Sequence, residues 1–238
     1  MNDPQTALLE IDDVKIHSSY LKAHTLRQDG LTVVLMHGAG QSSSERFVAF
    51  AQLFASSGIS VVSLDFIGHG KTGGETSDNS LALRTKHAIA AVEHWTDAAT
   101  PLILCGSSMS GHTALRVSTQ LGPRVKSLCL LQPAIYAAEA ESIFFGPDFT
   151  EILHKPESWQ SSLALQDAAN FEGKVLIAIG SDDTVIPWGV IEALTKALKQ
   201  KSREVRLDII GGVGHELPTW IPKQDELSKQ LVEYLINS

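Results

Sequence analysis

A mostly parallel α/β sheet with helices on both faces is the fold class this sequence predicts, and three observations predict it. Five runs, TVVLM (32–36), ISVVSLD (59–65), LILC (102–105), SLCLL (127–131) and KVLIAI (174–179), are short and almost wholly apolar. Strands read this way when both faces of their sheet are covered. Between them lie segments whose apolar residues recur at helical spacing, and strand alternating with helix is the pattern of a parallel sheet. The third observation is size: 238 residues with 43% hydrophobic and 19% charged side chains suffice for one large core.

Taken in order, VKIHSSYLKA (14–23) alternates enough for a half-exposed, antiparallel opening strand, and Asp29-Gly30 supplies a turn before the first buried run. SERFVAFAQLFASSG (44–58) reads as a helix stopped by Gly58. SLALRTKHAIAAVEHW, MSGHTALRVSTQLG, WGVIEALTKALK and QDELSKQLVEYLIN read as helices too, and LDII (207–210) as a later strand. Residues 134–171 lack a single period and read as a small inserted lid within one domain spanning 1–238. The formal charge of −8 without a basic cluster argues against nucleic acid as a partner, and no apolar run is long enough for a membrane span. The N-terminal MNDPQTALLE lacks the basic and apolar blocks of a signal peptide, so a cytoplasmic location is expected. Cys105 and Cys129 read as free, buried strand thiols. No metal-ligand spacing is present, and no metal or cofactor is expected.

The segment GSSMSG (106–111) joins a strand to a helix. A residue on so tight a turn needs small neighbours two positions before and after it, because strand and helix backbones crowd there. Ser108, between Gly106 and Ser110, meets this condition. Ser107 would have Cys105 before it, and Ser110 would have His112 after it. HGAG (37–40), after the first buried strand, offers the Ala39 N–H as an oxyanion donor, and the Met109 N–H is the second. Two carboxylates, Asp182 and Asp183, follow the fifth run, and His215 follows the last strand. Taken singly, these are a loop histidine, a helix cap and a turn. Together, Ser, Asp and His fall in chain order at strand ends, as in one known triad arrangement.

Over essentially its whole length the chain resembles the α/β-hydrolase superfamily, esterase- or lipase-like with a short lid. The likeness takes in LDFIGHGKTGG (64–74), which matches the D-x-x-G-H-G loop with Thr72 at a usual Ser or Thr position. It implies Ser108 as nucleophile, Asp183 as acid, His215 as base, and Ala39 and Met109 as oxyanion donors. The pattern of Gly180, two residues, acid, apolar pair and Pro187 is what selects Asp183 over Asp182. Ser110 departs from the commoner glycine and brings a hydroxyl nearby. His112 reads as structural. A serine nucleophile disfavours dehalogenase or epoxide hydrolase chemistry.

The expected reaction is hydrolysis of a carboxylic ester through an acyl-enzyme. Thioesterase, lactonase, acyltransferase and carbon–carbon hydrolase chemistry use the same residues, and a non-catalytic ligand-binding protein is the alternative outside enzymology. The partner is a small-molecule ester or related acyl compound; the sequence does not fix the oligomeric state. In the lid, Phe144, Phe145 and Trp159 suit an apolar acyl or aromatic group, or else pack the lid on the domain. Glu139, Glu141, Asp148, Glu151, Glu157 and Asp167 outnumber Lys155 there and disfavour anionic substrates if they face the site.

Overall fold

Eight strands form one sheet in the order β1-β2-β4-β3-β5-β6-β7-β8. The structure, a computed structural model, describes residues 3–237; residues 1, 2 and 238, the ends of the expected 1–238 domain, lie outside the described residues. The strands are β1 Gln5–Ile11, β2 Val14–Leu21, β3 Thr32–Met36, β4 Ser60–Leu64, β5 Leu102–Ser107, β6 Val125–Leu131, β7 Lys174–Gly180 and β8 Glu204–Ile210. β2 pairs antiparallel with both β1 and β4, and every pairing from β4 to β8 is parallel. This is the α/β-hydrolase fold. β1 escapes the sequence reading because only Leu9 of its seven residues is buried, so it has no apolar run to betray it.

Successive strand residues point to opposite faces, and the chain uses both. Val34, Met36, Leu102 and Leu104 point into a core closed by α2 Leu81–Trp95, α3 Ser110–Leu121, α5 Leu163–Asn170 and α6 Trp188–Leu198. Val33, Leu35, Ile103 and Cys105 point into a second core closed by α1 Val48–Ser56, α7 Leu217–Trp220 and α8 Asp225–Ile236. Helix starts follow local chemistry: the Ser80 hydroxyl accepts the Leu83 N–H and caps α2. Cys105 and Cys129 lie opposite one another in the β5–β6 register as buried free thiols, and the contact with Cys129 together with burial pushes the Cys105 thiol up.

The segment between β6 and β7 holds two eight-residue helices, α4 Pro147–His154 and α5, with a short 3-10 turn before each. Each helix is too short to impose one period on 38 residues of sequence. Arg116 of α3 ties the segment down at both ends, contacting Glu141 at 3.2 Å and Asp167 at 2.5 Å. Among the described residues no helix is long and apolar enough to cross a membrane.

Candidate active site

The strand-to-helix turn is as tight as its sequence implies. Ser108 has φ +52°, a left-handed conformation that costs a residue with a Cβ about 1–2 kcal/mol. Its N–H donates to Leu131 O at 2.9 Å, and its carbonyl accepts from Gly111 and Ala134, so three bonds hold the strained residue in place. A Cβ on Gly106 would stand 2.1 Å from the Ser110 carbonyl oxygen, which is why glycine occupies the position two before it. The Ser110 hydroxyl is buried and donates to the His37 carbonyl at 2.6 Å.

Two loops bring the acid and the imidazole together. A Cβ on Gly180, the last residue of β7, would lie 2.0 Å from the Val213 carbonyl, so only glycine lets the loops after β7 and β8 cross this closely. Across that crossing His215 Nδ1–H donates to Asp183 Oδ2 at 2.8 Å. The other Asp183 oxygen accepts the Val185 and Ile186 N–H groups at 2.8 and 3.1 Å. Burial alone would raise the Asp183 pKa; the bonds from His215, Ile186 and Val185 outweigh it and hold the carboxyl below its usual range. Because Asp183 only accepts, the His215 proton sits on Nδ1, and Nε2 has no protein partner among the described residues. Asp182 is exposed, and its Oδ1 accepts the Ser181 hydroxyl instead.

Gln132, which sequence reasoning passed over, joins the two loops. It is buried just after β6, with φ +50°. Its Oε1 accepts the Leu217 N–H at 2.9 Å, so its amide NH₂ faces Asp183 Oδ2 (2.6 Å) and the Gly214 carbonyl (2.7 Å). The signal was present: a lone polar residue ending an apolar run, as at the other site positions. Gln132→Leu should strand these partners, destabilise the fold by about 1–3 kcal/mol and lower turnover about tenfold by loosening the histidine. Thermal melts beside steady-state rates check this, and an unchanged rate would remove Gln132 from the site.

Ser108 and His215 line one cavity of about 60 Å³ with Gly38, Ala39, Ser42, Arg46, Phe47, Ser107 and Pro218. A Cβ on Gly38 would be 3.0 Å from Ser108 Cβ, so the HGAG loop lies directly against the serine. The Ala39 and Met109 N–H groups donate to no acceptor among the described residues. Arg46, also unforeseen, is the one permanently charged side chain in that lining. The D-x-x-G-H-G loop is pinned from within: Asp65 accepts the Ser44 and Lys71 N–H groups, and Thr72 Oγ1 donates to the Asp65 carbonyl.

The three candidate aromatic residues of the segment between β6 and β7 lie elsewhere. Phe144 is 59% exposed. Phe145 packs edge-on to Phe149, 4.8 Å between centroids, in a cluster that includes Met109. Trp159 packs against the main core beside Gly189 at the start of α6. None of the three lines the Ser108 cavity. Nor do the acids of the same segment: Glu139 pairs with Lys155, Glu141 with His112 and Arg116, and Asp167 with Arg116 and Thr119. His112, whose Nδ1 accepts the Tyr136 N–H, thereby fastens α3 to the inserted segment.

The chain is similar to several known proteins. The family model described as serine aminopeptidase, S33, matches residues 28–159. A monoacylglycerol lipase of Mycolicibacterium smegmatis is 32% identical over 116 residues, which cover 46% of this chain and 40% of that protein. The match thus spans about two fifths of that curated relative's length. Among solved structures, Est1E from Butyrivibrio proteoclasticus with ferulic acid bound has a TM-score of 0.71 at 17% identity, covering 94% of this chain and 96% of that one. The monoacylglycerol lipase of Paleococcus ferrophilus has a TM-score of 0.68 at 19% identity, covering 92% and 97%. At those identities the two structures speak for the fold alone.

Proposed function

The chain belongs to the serine aminopeptidase S33 family of α/β-hydrolases, and from that premise we propose that it hydrolyses a carboxylic ester through Ser108, His215 and Asp183. The observation that carries this reading is the Nδ1–H bond from His215 to Asp183, which leaves a free Nε2 in the cavity shared with Ser108 and Ala39. Nε2 takes the Ser108 proton as Oγ attacks the ester carbonyl carbon. The developing oxyanion accepts the Ala39 and Met109 N–H groups, a stabilisation worth about 3–4 kcal/mol per donor in related sites. Collapse expels the alcohol, protonated by His215, and water releases the acid by the same steps in reverse order.

Ester rather than aminopeptide cleavage is favoured by the cavity's charge. Seating a substrate's free ammonium calls for an unpaired carboxylate, whereas the lining offers only Arg46, and Asp183 is engaged by His215. The monoacylglycerol lipase likeness points the same way. In this reading the chain acts as one domain in the cytoplasm, residues 134–171 are the lid, and of Phe144, Phe145 and Trp159 it is Phe145 that meets the acyl group. The Phe145 cluster, which reaches Met109, supports that placement.

The test is fluorophosphonate labelling beside a p-nitrophenyl ester series of graded acyl length and an amino-acid p-nitroanilide. Labelling with ester turnover and little anilide cleavage is the expected result. Turnover confined to the anilide, or no labelling, would defeat the reading.

A further inference from the structure

We propose that Arg84, acting with Ser110, positions the loop that presents the Ala39 oxyanion donor, an inference that rests on the ester-hydrolase reading above. Arg84 stands in the first turn of α2 with no exposed surface. No carboxylate lies within ion-pair distance of it among the described residues. One nitrogen, Nη2, donates to the His37 carbonyl at 2.6 Å and to Ser110 Oγ at 2.8 Å, and the Ser110 hydroxyl donates to the same carbonyl at 2.6 Å. The guanidinium carbon sits 3.7 Å above the Phe66 ring centroid, while Nε and Nη1 have no hydrogen-bond partner. Burial lowers its pKa to about 9, which leaves it charged at neutral pH. A buried cation without a counter-ion is costly, and what it grips is the carbonyl of the first residue of HGAG.

The grip passes to Ala39 through two peptide planes. His37 Nε2 accepts the Phe66 N–H at 3.1 Å, so Nδ1 carries the proton and donates to the Gly38 carbonyl at 2.7 Å. Burial, then the charges of Arg84 and His69, keep this imidazole neutral, so Nε2 stays free to accept the Phe66 N–H. In a trans peptide the C=O and N–H point opposite ways. Holding the His37 carbonyl against Arg84 turns the Gly38 N–H the other way, and holding the Gly38 carbonyl on the His37 ring sets the Ala39 N–H. Without Arg84 the His37 carbonyl keeps only the Ser110 hydroxyl. The first plane is then held by one bond instead of two, and the donor two residues on loses part of its aim. The serine that replaces the usual glycine after Met109 thus gains a positioning role, because its hydroxyl closes the ring of three hydrogen bonds around that carbonyl.

The experiment compares Arg84→Met, Arg84→Lys and Ser110→Ala with the wild-type chain. A fluorophosphonate titration counts competent sites, so that rates are per site. The readouts are kcat and KM for a short p-nitrophenyl ester, and the inhibition constant of a trifluoromethyl ketone, whose tetrahedral adduct needs the oxyanion donors. Arg84→Met should lose about 10–100-fold in kcat with KM within about twofold. The ketone should weaken by the same factor, Arg84→Lys should recover part of the loss, and Ser110→Ala should lose less than Arg84→Met. A residue that serves folding alone would lower the melting temperature and the number of titratable sites. Wild-type kcat per site and ketone affinity in Arg84→Met overturn the proposal. Should that variant not fold, wild-type values in both Arg84→Lys and Ser110→Ala overturn it equally. If the wild-type protein neither reacts with the probe nor turns over ester, the ester-hydrolase reading has failed and the positioning role falls with it. A Ser108-dependent enzyme with indifferent Arg84 variants refutes positioning alone.

Discussion

Ser108→Ala is expected to lower ester turnover by roughly 10⁴-fold or more and to abolish fluorophosphonate labelling, with the melting temperature almost unchanged. The fold should tolerate the change, because alanine keeps the Cβ and the left-handed backbone is held by bonds from Ser108 N and O, not from Oγ. The chemistry should not, since no other group takes the place of Oγ. Its rivals are Ser107, which lines the same cavity, and Ser110, whose hydroxyl is spent on His37. Ser107→Ala and Ser110→Ala should both still label. Labelling that survives in Ser108→Ala, or disappears in a folded Ser107→Ala, would move the nucleophile.

What could be read in the sequence depended on whether a residue's role left a local mark. The buried strands did, because a run such as TVVLM has both faces covered and no polar position. Ser108, Asp182, Asp183 and His215 did, since each stands where an apolar run ends and the sheet's edge opens. Gln132 stands at such a place too and was missed because glutamine has no role in the motif being sought. Arg84 left no mark: on a helix with the polar spacing of α2, an arginine reads as a solvated side chain, and its burial comes from Phe66 and HGAG, far away in sequence. Gly180 is similar, for its need to be glycine lies in Val213, more than thirty residues on. β1 was illegible for the opposite reason, being an edge strand that buries almost nothing. The aromatic residues of 134–171 show the same limit. Aromatic composition said that the segment would bury rings, but Phe145 and Trp159 face packing partners that only the tertiary structure supplies.

Asp183→Asn should cost nearly as much as loss of the nucleophile, about 10⁴-fold, as the corresponding change does in a serine protease triad. The reason is tautomeric. Asp183 Oδ2 accepts from His215 Nδ1 and from Gln132 Nε2. An asparagine that turns its NH₂ toward the imidazole drives the proton to Nε2, where the base is needed bare. Asp182→Asn changes an exposed side chain bonded to its neighbour Ser181, and should alter turnover by less than about threefold. The pH dependence of stability tests the acid separately. Asp183 titrates below the usual carboxylate range, so its ionised form is favoured by folding. Its contribution to stability is complete above the ordinary carboxylate pKa and is lost as pH falls through its own lower value. In Asp183→Asn the stability loss at low pH should shrink, because the titrating group is gone. Turnover and thermal melts of both variants across pH are the measurement. An inactive Asp182→Asn beside an active Asp183→Asn would place the acid one residue earlier and break the proposed link from Gln132 through Asp183 to His215.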